Sequence, residues 1–239
     1  MDWTTPIDIY CERTAVGLWN EPFNALSNIA FVLAAYWGYA SARRLGRLNG
    51  RIWVAILLAG SIGLGSFLFH TFANHWSELA DIIPIWSFVV WMILVIVWSM
   101  SGGSLIRAAF GAVKIFALVG LVFWFTSGVL LSGTGTSATR LGLNGSEQYA
   151  PALLALYIFA AITLVQRHPA GRWLGWAAVV FTISLVFRTV DLAVCTPLPI
   201  GTHFVWHSLN GLMIGLLLQA LVRHLSSPRV DGAAHNRSH

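Results

Sequence analysis

The chain has 239 residues, of which 57% are hydrophobic and 10% charged, with 12 Trp and 14 Phe and a mean hydropathy of +0.72. A soluble domain carries about 25% charged residues, so an ordinary water-facing globule is excluded. The net charge of +5 rests on only 14 Lys and Arg with no basic run interleaved with aromatics, which excludes nucleic acid as a partner.

The first 22 residues carry Asp2, Asp8, Glu12 and Glu21 against Arg13, the reverse of a cleavable leader, so the first apolar helix is expected to stay in the protein. Charge-poor stretches follow at 23–42, 52–78, 82–106, 115–139, 148–166, 173–187 and 192–222. A helix needs about 20 apolar residues to cross a bilayer. The sixth stretch reaches that length if its helix continues towards Val190. The expectation is an all-α integral membrane protein, a bundle of seven transmembrane helices in one domain over 1–222, with a disordered tail at 223–239. Pro84 is expected in the first turn of the third helix, and the Gly and Ser clusters at 101–104 and 132–137 read as loops.

Arg43, Arg44, Arg47, Arg51, Arg107, Lys114, Arg167, Arg172, Arg223, Arg229 and Arg237 all fall on one side of this arrangement, in loops or after the last helix, and Arg13 and Arg140 on the other. The positive-inside rule then predicts an external N-terminus and a cytoplasmic C-terminus. A bacterial inner membrane and a eukaryotic secretory membrane both fit.

His70 closes the second span, and His203 and His207 open the seventh, so all three reach the outer end. Spacing of i to i+4 sets His203 and His207 one turn apart on one helical face, as a helix offers two imidazoles to one zinc ion, with His70 as third ligand. Three protein nitrogens with one open position make the catalytic zinc arrangement. Asp81, expected at the start of the third span, is the candidate proton acceptor, its alternative being a helix cap. Ser66 lies four residues before His70 on the same face. His75, His168, His224, His235 and His239 are set aside. Arg188 and Asp191, at i and i+3, read as an ion pair at the outer end of the sixth helix.

SFLFHTFANHWSELADIIPI, HFVWHSLNG and YCERTAVGLWNEPFNALSNIAF together resemble the alkaline ceramidase family, within a superfamily of seven-span membrane hydrolases. The likeness runs from about residue 8 to residue 222 and rests on the combination of Ser-x3-His, the His-to-Asp interval, HxxxH and the Glu-Pro-Phe-Asn block. It implies zinc on His70, His203 and His207, Asp81 handling the proton, and Ser66 beside the oxyanion. It also implies a Ca2+ site outside the membrane, to which Glu12 and Glu21 correspond. There the chain departs from the family, since Ile9 stands at the aspartate position with Asp8 one place away, and Thr14 replaces a polar ligand. Cys11 and Cys195 both fall on the outer side, where an oxidising exterior lets them pair.

The expected activity is zinc-dependent hydrolysis of the ceramide amide to a sphingoid base and a fatty acid, in contact with membrane lipids. Three alternatives stand beside it: a seven-span lipid receptor or binding protein with a structural metal, a bis-histidine haem carrier, and a related hydrolase acting on another acyl lipid.

Overall fold

The computed structural model describes residues 2–131 and 143–226. Its α-helices are α1 (Pro22–Ser27), α2 (Ile29–Arg44), α3 (Gly50–Phe72), α4 (His75–Met100), α5 (Leu105–Leu131), α6 (Ala150–Val165), α7 (Gly171–Val190) and α8 (His203–Ala220). A 3-10 turn over Ser146–Tyr149 leads into α6, and a π turn over Leu221–Leu225 prolongs α8. Among the described residues six helical segments are long and apolar enough to cross a membrane: α3, α4, the first part of α5, α6 with its leading turn, α7, and α8 with its π extension. Their outward faces carry bare apolar side chains such as Leu57, Leu64, Val165 and Trp176. In water that surface would drive aggregation, whereas lipid covers it without cost.

The remaining apolar stretch is broken. α2 has 16 residues, a length of about 24 Å against a hydrocarbon core of about 30 Å. α1 precedes it, and the run is interrupted at Asn28, whose side-chain amide donates to the carbonyls of Asn24 and Ala25 while its backbone N–H makes only a tight i to i−3 bond to the same Ala25 carbonyl.

Each helix from α2 to α8 packs on its chain neighbours, and α8 closes the ring against α2. Small residues permit that closure. Gly211 and Gly215 on α8 meet Ala30 and Trp37, while Gly38 on α2 meets Leu218, and a Cβ at any of the three would crowd the opposite helix. Close backbone approach is how helices gain packing energy in lipid, where the hydrophobic effect between helices is absent.

Helix starts follow local chemistry. Asn49 accepts from Ile52 N–H at the head of α3, and Asn74 with Ser77 forms a reciprocal capping box at the head of α4. α4 therefore starts at His75, seven residues before the charge-poor stretch, so Asp81, expected at the start of this span, lies almost two turns inside it, and the alternative reading of Asp81 as a cap falls to Asn74. Pro84 moves with it, from the predicted first turn to the helix interior. α5 likewise starts at Leu105, so Arg107 and Lys114, expected in a loop, sit on its first three turns, and Ser101–Ser104 alone make the connection. α7 does continue to Val190. Of the tail expected over 223–239, residues 223–225 belong instead to the π turn that prolongs α8, while residues 227–239, like the 132–137 cluster, lie outside the described residues.

Two ends emerge. At one, Arg47 donates to the carbonyls of Val222 and Arg223, Arg51 donates to Ser226, and Arg223 lies over the Trp173 ring. At the other, the N-terminal segment folds over the bundle. It is joined to the α3–α4 corner by Ile7 N–H donating to Ala73 and by a bridge between Pro6 and Asn74. A disulfide links Cys11 to Cys195, in the stretch before α8.

Gly65 faces the α4 backbone so closely that a Cβ would collide with the Ala80 carbonyl, whereas Gly60, on the same helix, has open space. Gly60→Ala is expected to leave the thermal midpoint in detergent unchanged or raised, with helix propensity gaining up to about 1 kcal/mol. Gly65→Ala is expected to lower it, because backbone cannot yield as a flexible side chain does. Equal midpoints for the two variants would show that α3 and α4 do not touch there.

Candidate metal centre

α3 and α8 carry His70, His203 and His207 to one place near the end of the ring that the N-terminal segment covers as a strap. All three are at most 2% exposed, and one ligand nitrogen from each lies within 4.8 Å of the others. Among the described residues this is the one group of three or more His, Cys, Asp or Glu side chains placed to share a metal ion. The three histidines singled out by position along the chain are thus the ones the fold assembles.

The hydrogen-bond network fixes how each ring presents itself. His70 Nδ1 lies 2.5 Å from Glu21 Oε2, an acceptor, so this nitrogen carries the hydrogen. His207 Nδ1 faces Ser27 Oγ at 2.8 Å and the Asn24 carbonyl at 3.1 Å. The Ser27 hydroxyl donates to the same carbonyl, so its oxygen is left to accept and His207 Nδ1 must donate. Both rings then turn Nε2 inward, and the two Nε2 atoms stand 3.2 Å apart. Facing lone pairs repel unless a cation lies between them. A proton bridges two nitrogens at most, but the His203 ring stands 4.5 Å from His207 and 5.2 Å from His70 between centroids, and its Nδ1 has no hydrogen-bond partner. Three converging imidazoles, one with an orphaned nitrogen, fit a metal ion better than a proton.

The groups behind the ligands were mostly invisible along the chain. His203 starts α8 because Asp191, twelve residues earlier, reaches across: its Oδ1 accepts from the backbone N–H of Thr202 at 2.6 Å and of His203 at 3.0 Å, and its Oδ2 accepts from Cys11 N–H at 3.1 Å. Asp191 is fully buried and spends its charge on these amides, so the predicted Arg188–Asp191 ion pair does not form. Gly201 makes the approach possible. Its φ is +62°, and a Cβ there would run into Asp191 and Cys11. Tyr10 stacks on His203 with centroids 3.7 Å apart.

The acidic residues expected to hold calcium have other partners. Glu12 accepts from the backbone N–H groups of Phe23 and Asn24, at 2.7 and 2.8 Å, and so caps α1. Glu21 is shared by Arg13 Nε, Asn24 Nδ2 and His70 Nδ1. The cation beside the carboxylate is Arg13, whose remaining donors reach the carbonyls of Ala15, Gly17 and His70. Asp8 is exposed and has no part in this cluster. Burial pushes the Glu12 carboxyl above its ordinary value despite its two amide donors. Burial pushes Glu21 the same way, but the His70 ring, Asn24 and Arg13 outweigh it and hold that group below its ordinary value. An ionised Glu21 is what a ligand imidazole needs behind it, because it fixes the tautomer and raises the basicity of the inward nitrogen.

A largely apolar cavity opens beside the histidines. His203, His207, Ser66, Asp81, Tyr10 and Arg188 line its polar end together with Asn210, one turn past His207, and apolar side chains, chiefly Phe, Ile, Leu and Met, make up most of the rest. Ser66 is buried on α3, one turn from His70, with its hydroxyl beside the Asp81 carboxyl. Asp81 Oδ1 is buried with no hydrogen-bond partner among the described residues. The two residues read as catalytic thus meet on the wall of this cavity. Of the histidines set aside, His75 faces Glu78 outside the cavity, while His235 and His239 lie outside the described residues.

Glu21→Gln is expected to weaken metal binding about 10- to 100-fold while the protein stays folded. Equilibrium dialysis with metal analysis of purified protein measures it. Unchanged affinity would make Glu21 a purely structural partner of Arg13.

No protein-family model matches the chain, and a search of curated proteins likewise finds no match.

Proposed function

We propose that this chain is an intramembrane zinc-dependent hydrolase of an acyl lipid, with ceramide as the leading substrate. The observation that carries the proposal is the meeting of three converging imidazoles with a carboxylate that has one unpartnered oxygen and a serine at the polar end of an apolar cavity. Zinc suits the donor set: two nitrogens at about 2.05 Å from a tetrahedral ion stand about 3.3 Å apart, and His70 Nε2 and His207 Nε2 are 3.2 Å apart. Three protein nitrogens leave a fourth position, which distinguishes a catalytic from a closed structural site and favours an enzyme over a receptor with a structural metal.

Zinc bound there would supply Lewis acidity and lower the pKa of water. The protein's own groups supply the rest. Asp81 Oδ1, without another partner, accepts the proton of the attacking water and returns it to the leaving amine. The Ser66 hydroxyl donates to oxygen as negative charge develops on it. The apolar walls hold alkyl chains and exclude bulk water from the reacting end. Ceramide, with one amide between two hydrocarbon chains, matches a cavity that is polar at one end only; the resemblance to alkaline ceramidases in the three segments around these residues points the same way.

The reading extends to topology. With α1 and α2 together as a broken first span, the helices number seven, the end rich in Arg faces the cytoplasm, and the metal centre opens outward. Val16 and Leu48 are exposed, one at each end, and both native cysteines are tied up in the disulfide. Cysteine at Val16 is expected to label from outside intact cells, and cysteine at Leu48 only after permeabilisation. The opposite pattern would invert the protein, and labelling of both from one side would remove the seventh span.

Activity is tested by incubating detergent-purified protein with fluorescent ceramides and other acyl lipids, with and without a zinc chelator. Asp81→Asn is expected to retain metal and fold while losing most turnover, and Ser66→Ala to lose about 10- to 1,000-fold. No cleavage of any lipid by zinc-loaded protein would refute the enzyme. Cleavage of another acyl lipid, with ceramide untouched, would reassign the substrate.

A further inference from the structure

Among the described residues, Arg188 is the one buried cation at the cavity for which the hydrolytic scheme has no use. It is 6% exposed, lines the polar end, and sits near the end of α7. Three rings surround it, with its guanidinium carbon 5.4 Å from the centroids of Tyr149 and Trp206 and 5.8 Å from that of Tyr10. Rings stabilise the faces of a guanidinium but leave its in-plane N–H donors unused. Of these donors, Nη1 donates to the Tyr10 hydroxyl at 3.2 Å, whereas Nε is buried with no hydrogen-bond partner. No carboxylate forms an ion pair with it among the described residues: the ion pairs there are Arg13 and His70 with Glu21, and His75 with Glu78. Asp81 lies close enough to act on it electrostatically, but the two do not join. Gly145 leaves the space beside Nη2, where a Cβ would come within 3.3 Å.

A lone charge in an apolar bundle is costly, so an isolated intramembrane cation marks a place where an anion belongs. We propose that Arg188 is the seat of a carboxylate, and that the cavity binds a long-chain fatty acid anion with its head on this guanidinium. The head group follows from the donors. A guanidinium presents paired N–H groups that match a planar carboxylate, and one fixed positive charge balances one negative charge. A doubly charged phosphate would leave excess negative charge facing Asp81. The tail follows from the walls, where Ile85, Met92, Ile96, Leu156, Phe159 and Leu217 continue inward from the polar end. Along α4, Ile85 to Ile96 span about 16 Å, room for an extended alkyl chain. The proposal rests on the cavity and not on hydrolysis; where the hydrolase reading holds, the same seat receives the acid product.

The test measures binding, with no turnover required. Purified full-length protein, zinc-loaded and zinc-stripped, is titrated with palmitate, hexadecanol and hexadecyl phosphate in detergent. Wild type is expected to prefer palmitate over hexadecanol by at least tenfold, and to keep that preference after the metal is stripped. Arg188→Gln is expected to abolish the preference with hexadecanol affinity changed less than twofold, and Arg188→Lys to keep part of it. No preference in wild type, loss of preference on metal removal, or an unchanged preference in a folded Arg188→Gln protein would each overturn the seat. Tighter binding of hexadecyl phosphate than palmitate would overturn the carboxylate assignment. The wild-type measurements decide even if the variants fail to fold. Palmitate binding through Arg188 without lipid cleavage would sink the hydrolase and leave this seat; cleavage without that binding would do the reverse.

Discussion

Two imidazole nitrogens turned towards each other at 3.2 Å, each with its other nitrogen committed to an acceptor, form an arrangement that a dry helix bundle disfavours. A third ring beside them, with an unsatisfied nitrogen of its own, adds to the strain. Much of what surrounds these rings holds them in that unfavourable convergence. Glu21 fixes one tautomer, Ser27 and the Asn24 carbonyl fix another, and Asp191 sets the start of the helix that carries two of the rings. A cation shared by the three would convert the repulsion into binding energy, the usual relation between a metal site and the fold that prepares it.

The N-terminal segment belongs to this preparation. Arg13 and Glu21 form a buried chain of charge from this segment to His70: Arg13 steadies Glu21, and Glu21 orients the ring. The disulfide and the Asp191 carboxylate tie the same segment to the turn before α8. Removing the strap would therefore release α3 and α8 together. The acidic character of the segment, expected to attract calcium, is already used by backbone amides and a guanidinium.

Alongside the metal centre the cavity holds two opposite charges that do not meet, Asp81 on α4 and Arg188 on α7. Had they formed an ion pair, both would be structural. Held apart, both remain free for the roles proposed for them, proton acceptor and anion seat, with apolar walls between the helices that carry them.

Composition and the long charge-poor stretches by themselves determined that the chain is helical and made for lipid, because a bilayer admits few backbone solutions and demands apolar length. The i to i+4 spacing of His203 and His207, and of Ser66 and His70, marked which residues share a helical face, since helix geometry is a local property. Tertiary structure alone decided the rest. Asp191 caps a helix twelve residues away, and Glu21 orients a histidine from another helix, because side chains distant in sequence meet only after the ring closes. Helix starts also escaped the charge pattern: His75, Glu78 and Asp81 lie within α4, since the Asn74–Ser77 capping box, not the first charge-free residue, sets where hydrogen bonding begins. The spacing of Arg188 and Asp191 suggested a pair, but spacing cannot reveal that backbone amides offer the carboxylate better partners. That competition is settled by contacts in three dimensions, and it leaves the guanidinium facing the cavity.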